Sequence, residues 1–294
     1  MKIKEVTGNL YQFIGLGLIN ALARSGRYEL QSDVRYGVKN RNTLDYYRCE
    51  HEEPRPTILF FYGGGWQSGE KKNYRFVADT LTYYGYNVVI PNYRLYPLVR
   101  FAQIQEDSVN ATQWVLENVS ADQPIYIMGH SAGAQLGALL CLNKSLLDSS
   151  QGLDQRIGGF IGLAGPYDFY PFTEDEHWDL FSPEESYPDS QAVNFVRVDC
   201  PPMYLLHGEN DNRIRRGHSK SLMEKVQAVG GRATREVYSD TGHVDIILQL
   251  ARIYRRSSPV VRDIVRFLSD RSASRLTKAG HQESTDGLDE LPSN

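Results

Sequence analysis

Short, continuously apolar runs alternate with helix-like segments along most of this 294-residue chain. A strand buried on both faces of a sheet has this continuous apolar pattern, because both sets of its side chains are covered. Repeated alternation of strands and helices predicts an α/β fold with a mostly parallel central sheet and helices on both faces. The principal runs are Thr57–Tyr62, Asn87–Ile90, Ile125–Met128, Phe160–Leu163, Met203–Leu206 and Thr234–Tyr238.

The alternating pattern predicts one domain over residues 34–270. Residues 1–33 are predicted to be an N-terminal helical segment and a candidate cap over the domain. Residues 166–200 lack a clear period and are rich in aromatic, acidic and proline residues, which indicates an insertion or small lid. Residues 271–294 are polar and contain glycine, proline and serine, so they are predicted to form a disordered tail.

The net charge is −4, without the basic excess that is typical of nucleic-acid binders, so we expect no nucleic-acid partner. No run of 18 apolar residues exists, so we expect no membrane span. The cysteines Cys49, Cys141 and Cys200 show no metal-binding spacing, which predicts reduced thiols, no metal and no cofactor. We expect a cytoplasmic protein. A secreted protein is the alternative, because residues 10–23 have the outline of a secretion signal. A homodimer is an open alternative to a monomer.

The sequence Gly129-His-Ser131-Ala-Gly133 follows a predicted strand and opens a predicted helix. A serine on such a sharp turn projects its hydroxyl from the top of the sheet, and only small neighbours fit around the strained backbone. The pattern predicts a nucleophilic Ser131. A glycine-rich turn that merely permits close packing is the alternative.

Three glycines, Gly63 to Gly65, follow the Thr57–Tyr62 strand and precede Trp66. Backbone N–H groups of such a loop can point into a cleft and stabilise an oxyanion. Taken alone, a triple glycine more often forms an ordinary loop.

Acidic residues and histidines occur in two later loops on the same predicted sheet edge. Asp211 and His243 follow successive strands, and with Ser131 they give the chain order Ser, Asp, His of one known hydrolase architecture. Asp211 is preferred to Glu209 because the acid must reach across to the histidine loop. His243 is preferred as the base over its rivals, because a histidine that lies inside or directly after a strand is more often a packed structural residue. The rival histidines are His130, His207 and His218.

These motifs resemble the α/β-hydrolases, close to the hormone-sensitive-lipase-like and BD-FAE-like esterases, from about Val34 to Leu268. Three further segments carry the resemblance: Asn92-Tyr-Arg-Leu-Tyr-Pro97, Phe101 to Asp107, and Gly165-Pro-Tyr-Asp168. The resemblance implies an α/β-hydrolase fold with Ser131 as nucleophile.

The resemblance also implies His243 as general base and Asp211 as its orienting acid. It assigns the oxyanion-binding amides to Gly64, Gly65 and Ala132. The family usually has histidine before the three glycines, whereas this chain has Tyr62, whose hydroxyl can also brace the loop.

Trp66 and His130 are predicted to line the substrate pocket. The insertion carries aromatic side chains that form either a satellite core or an acyl pocket. Arg252, Arg255 and Arg256 are predicted to be a solvated helix face. The aromatic residues of the insertion are Tyr167, Phe169, Tyr170, Phe172, Trp178 and Phe181.

We therefore predict a serine carboxylesterase that cleaves small short-acyl esters through an acyl-enzyme. The alternatives are an amide hydrolase resembling kynurenine formamidase and, in a different class, a non-catalytic ligand receptor on the same fold. Receptors on this fold tend to lose the triad base, which this chain retains.

Overall fold

The computed structural model describes residues 17, 19–51, 55–120, 123–147 and 152–270. Most of the predicted secretion signal and about half of the predicted cap lie outside these residues, as does the predicted tail. Of the candidate cap, residues 19–23 are helical, and Asn20 bonds both the carbonyl oxygen of Asn73 and the amide of Phe76.

Eight strands form one sheet in the order β1-β2-β4-β3-β5-β6-β7-β8. Strands β1 and β2 are antiparallel to their neighbours, and β3 to β8 run parallel. The predicted mostly parallel α/β sheet is therefore confirmed. The strands are β1 Tyr28–Arg35, β2 Thr43–Cys49, β3 Arg55–Phe61, β4 Tyr86–Pro91, β5 Ile125–His130, β6 Ile157–Leu163, β7 Met203–Gly208 and β8 Ala233–Tyr238.

Every residue of β4, β5, β6 and β7 is buried. Successive side chains of a strand point to opposite faces, so both faces of the central sheet are covered. The helices are α1 Arg75–Tyr83, α2 Phe101–Asn118, α3 Ala132–Leu142, α4 Asp175–Leu180, α5 Gly217–Ala228, α6 Asp245–Leu248 and α7 over 259–270.

Strand β1 differs from the helical segment expected for residues 1–33. Its residues are mostly exposed and include Glu29, Gln31 and Asp33, so the sequence has no apolar run there. Backbone pairing with β2 makes this segment a strand. Such pairing depends on a partner distant in sequence and leaves little trace in local hydrophobicity.

The prediction that Arg252, Arg255 and Arg256 form a solvated face is wrong for Arg252 and Arg255. Arg252 Nη2 lies 2.7 Å from Asp79 Oδ1, and Arg255 Nη1 lies 3.4 Å from Asp79 Oδ2. The Asp79 side chain is 1% exposed, so its buried carboxylate requires cationic partners. The two arginines therefore join the segment before α7 to α1. Arg256 bonds the hydroxyl of Tyr83.

In the described part of the chain, no helix combines the length and the apolar character that crossing a bilayer requires. Cys49, Cys141 and Cys200 are buried free thiols.

Candidate active site

Ser131 lies at a sharp turn between β5 and α3. Its backbone is strained, with φ +54° and ψ −126°, and its amide donates to the carbonyl oxygen of Leu163 at 2.9 Å. A Cβ on Gly129 would lie 2.4 Å from the carbonyl oxygen of Gly133, and one on Gly133 would lie 2.2 Å from that of Phe61. The close approach of α3 to β3 and β5 thus excludes any side chain at these two positions.

Ser131, His243 and Asp211 meet at the carboxyl edge of the sheet. Ser131 Oγ lies 2.9 Å from His243 Nε2, and His243 Nδ1 lies 2.8 Å from Asp211 Oδ2. With Nδ1–H donating to the carboxylate, Nε2 is free to accept the serine proton. The arrangement has the connectivity of a nucleophile, a base and an orienting acid.

Asp211 is held by several donors. Its Oδ1 accepts the backbone amides of Arg213 and Ile214, each at 2.9 Å, and its Oδ2 lies 3.2 Å from His207 Nε2. Burial favours a higher pKa for Asp211, but the hydrogen bonds from His207, His243 and the Ile214 amide outweigh it and hold the pKa well below the usual range. The rival acid Glu209 is exposed instead and lies 3.6 Å from Arg216.

The rival histidines have other partners. His207 is fully buried and its Nε2 lies 3.0 Å from the carbonyl oxygen of Ile214. His218 Nδ1 lies 2.5 Å from the carbonyl oxygen of Asp168. His207 was missed as a support for Asp211, because its sequence spacing alone does not show which face of the β7 loop it occupies.

His130 lies beside His243. Its Nε2 is 2.9 Å from the carbonyl oxygen of His243, and the centroids of the two imidazole rings are 5.0 Å apart. Burial, followed by the charge of His243, lowers the pKa of His130 to about 3. His130 is therefore a neutral donor that anchors the His243 backbone, and it also lines the cavity, where the sequence predicted it.

The glycine loop and the start of α3 lie beside Ser131 and line the same cavity. Gly64 and Gly65 have φ of +141° and +60°, conformations that favour glycine. In the described parts of the chain, neither amide has a protein acceptor. Ala132 is the first residue of α3, so its amide is one of the N–H groups that a helix leaves unpaired.

Tyr62 braces this loop from below. Its hydroxyl donates to Asn92 Oδ1 at 3.0 Å and accepts from Arg41 Nη2 at 3.0 Å, and Arg41 also donates to the carbonyl oxygen of Gly69 at 2.8 Å. The ring of Tyr93 stacks on that of Tyr62 with centroids 4.7 Å apart. The tyrosine thus forms bracing hydrogen bonds where the family usually has histidine. The sequence did not indicate the role of Arg41, which precedes β2 and contacts the loop only in the folded state.

Ser131 opens into a cavity of about 1000 Å³. Trp66 lines it as predicted, with its indole N–H donating to Gln135 Oε1 at 3.1 Å. The aromatic residues of the insertion divide between the cavity lining and a buried cluster. Phe169 and Tyr170 line the cavity, whereas Phe172 and Phe181 are buried and stack with centroids 5.0 Å apart.

Among the described residues, no group of three or more histidine, cysteine or acidic side chains is arranged to hold a metal ion.

The parallel sheet with a serine at the turn after β5 defines an α/β-hydrolase. The chain belongs to the BD-FAE family, whose model matches residues 44–226. Across 88% of its length it is 26% identical to the isoprenylcysteine alpha-carbonyl methylesterase ICME of Arabidopsis thaliana. It is 27% identical to kynurenine formamidase of Danio rerio over 74% of this chain and 76% of the relative.

The structure is similar to that of esterase B from Lactobacillus rhamnosis inhibited by a tributyrin phosphonate. The TM-score is 0.74 at 17% identity, covering 95% of this chain and 99% of that chain. This likeness confirms the α/β-hydrolase fold. The chain spans 64% of the length of the Arabidopsis methylesterase and 52% of a second plant relative, so activity and substrate are proposals.

Proposed function

We propose that this protein is a serine carboxylesterase that hydrolyses small, short-acyl esters. The observation that carries the proposal is the line of hydrogen bonds from Ser131 through His243 to Asp211, which opens into the cavity. The names of the curated relatives support ester hydrolysis.

In the proposed reaction, Ser131 Oγ attacks the ester carbonyl carbon while His243 Nε2 takes its proton. The negative charge on the carbonyl oxygen is stabilised by the amides of Gly64, Gly65 and Ala132. The C–O bond to the alcohol then breaks, and the imidazolium returns the proton to the alcohol. Water then attacks the acyl carbon while His243 Nε2 takes its proton, and the bond from that carbon to Ser131 Oγ breaks. The imidazolium returns the proton to Oγ, which releases the carboxylic acid and restores free Ser131.

The experiment is hydrolysis of p-nitrophenyl esters from acetate to palmitate by the wild type and Ser131→Ala. We expect activity to peak at short chains, and the variant to lose on the order of 10⁶ in turnover, because the nucleophile is absent. Ser145→Ala is the matched control, since Ser145 is exposed and bonds only Asn143 locally. Retention of most activity by Ser131→Ala would refute the mechanism.

A kynurenine formamidase-like amide hydrolase is the second candidate. It is favoured by the similarity to kynurenine formamidase of Danio rerio, because the match covers 76% of that protein's length. N-formylkynurenine assayed beside the esters distinguishes the two activities. Labelling with a fluorophosphonate, which requires an activated serine, separates both enzymes from a non-catalytic receptor. Absence of labelling at Ser131 would favour the receptor.

A further inference from the structure

Two arginine side chains line the catalytic cavity without ionic partners. Arg213 and Arg215 follow the acid Asp211 in the loop after β7, and both are exposed and contribute to the cavity wall. In the described portion of the chain, no carboxylate lies within ion-pair distance of either guanidinium. Their neighbour Arg216, which does not line the cavity, pairs with Glu209 at 3.6 Å.

Several other arginines of this protein pair with acidic groups. Arg94 lies 2.9 Å from Asp107, and Arg100 lies 2.7 Å from Asp179. Arg213 and Arg215 have no such partner among the described residues, and both line the cavity. A planar guanidinium is well suited to bidentate binding of a carboxylate or phosphate.

The charge of these arginines acts inside the site. Burial is the main cause of the low pKa of His130, and the charge of Arg213 lowers that pKa further. Similarly, Arg215 lowers the pKa of His218, after the larger effect of burial. Each guanidinium is therefore close enough to act electrostatically on a histidine that lines the same cavity.

The cavity lining also contains two acidic groups, Asp168 and Glu174. Asp168 Oδ2 accepts the hydroxyl of Ser221. Glu174 precedes α4 in the insertion, and its charge acts on His177. Asp168 therefore already has a hydrogen-bond partner in Ser221, and neither acidic group forms an ion pair with Arg213 or Arg215.

We propose that the cavity selects esters that carry an anionic group, which is bound by Arg213 and Arg215. The inference rests on the proposed esterase function and specifies its substrate class. An anion bound at these two residues offsets two positive charges that have no ion-pair partner in the described part of the chain. Binding through these arginines then contributes to kcat/KM for anionic esters and not for neutral ones.

The test compares matched neutral and anionic esters. In the acyl arm, mono-p-nitrophenyl adipate is compared with p-nitrophenyl hexanoate. In the leaving-group arm, the butyrate ester of p-hydroxybenzoate is compared with that of methyl p-hydroxybenzoate. The arm that shows the preference identifies the part of the ester that faces the arginines.

We expect the wild type to prefer the anionic ester of one arm by about tenfold in kcat/KM, the size expected for a charge-assisted contact. The double variant Arg213→Gln with Arg215→Gln is expected to lose this preference. The preference should also shrink when salt is raised to about 0.5 M, because the charges are exposed. Arg216→Gln is the matched control and should retain it.

Equal kcat/KM for the neutral and the anionic ester in both arms would overturn the inference. A preference for the anionic ester that survives in the double variant would overturn it as well. Either result leaves the proposed esterase function intact. Failure of the wild type to hydrolyse even neutral esters would overturn the proposed function, and this inference with it. Fluorophosphonate labelling of each variant establishes that its site is folded.

Discussion

At the scale of single residues, the site depends on an ionised aspartate held away from protonation. Asp211 accepts hydrogen bonds from two histidines and two backbone amides, which together keep its pKa well below that of a free carboxyl. The two backbone amides donate to Oδ1, so Oδ2 remains available to His243. The acid is therefore charged throughout the neutral range and can stabilise an imidazolium.

Asp211→Asn is expected to lower kcat on short esters by about 10⁴, because an amide can donate to His243 Nδ1 and so fix the wrong tautomer. The measurement is steady-state hydrolysis of p-nitrophenyl butyrate. Glu209→Gln serves as the control, since Glu209 lies at the surface beside Arg216. A larger loss in Glu209→Gln than in Asp211→Asn would assign the acid to Glu209.

His130 makes the stability of the protein depend on pH. The unfolded state has an ordinary histidine pKa near 6.5, whereas the folded state has a pKa of about 3. Below pH 6.5 the unfolded state binds more protons, so the stabilisation falls as the pH drops from about 6.5 towards 3.

His130→Gln is therefore expected to flatten the pH dependence of the unfolding free energy. Between pH 6.5 and 5 the wild type should lose about 2 kcal/mol more than the variant, as measured by urea denaturation at each pH. The exposed His51 gives a control, His51→Gln, that should follow the wild type. Parallel curves for wild type and His130→Gln would contradict the buried neutral histidine.

At the scale of elements, the position of Ser131 depends on how closely α3 approaches the sheet. Gly133 is in α3, and a Cβ there would collide with the carbonyl oxygens of Phe61 and Tyr62, at 2.2 and 2.4 Å. Backbone atoms of a central strand cannot move aside as a flexible side chain can. The helix must therefore shift, and Ser131 at its start must shift with it.

Gly133→Ala is expected to reduce the unfolding free energy by about 2–3 kcal/mol, the cost of overpacking against backbone, and to impair esterase activity. Gly217→Ala in α5 is the control, because nothing lies within 4 Å of an added Cβ there. That substitution should be neutral or slightly stabilising, because alanine favours helix. Equal melting temperatures of the two variants would argue against the close approach.

The fold of the whole molecule is closed by contacts between segments distant in the chain. Asp79 on α1 joins Arg252 and Arg255, more than 170 residues later, through a carboxylate that is 1% exposed. Thr80 extends this link by donating to the carbonyl oxygen of Leu250 at 2.6 Å. The segment after the His243 loop is thereby fastened to the opposite half of the sheet.

Asp79→Ala is expected to destabilise the protein by about 2 kcal/mol, because it removes charged hydrogen bonds and leaves the cationic partners partly buried. Chemical denaturation measures the effect. Asp189→Ala, at an exposed position of the insertion, is the control and should change the unfolding free energy by less than about 0.5 kcal/mol. A similar stability for both variants would show that the buried ion pairs contribute nothing.

Local sequence determined the central strands and the two motifs of the site. Ile125–Met128 and Met203–Leu206 are continuously apolar, so their burial could be predicted without knowing their neighbours. The glycines around Ser131 and in the loop after β3 identified positions where backbone strain or close packing excludes a side chain. Chain order and a parallel sheet were then sufficient to bring Ser131, Asp211 and His243 to the same edge.

Only the tertiary structure decided which groups support and surround Ser131, Asp211 and His243. His207, Arg41 and the partners of Asp79 act across the fold, and their sequence context resembles that of ordinary structural or surface residues. Strand β1 likewise exists because β2 supplies its hydrogen bonds. The physical reason is that apolar burial and backbone strain are local constraints visible in the sequence, whereas the pairing of polar groups depends on distances that only folding creates.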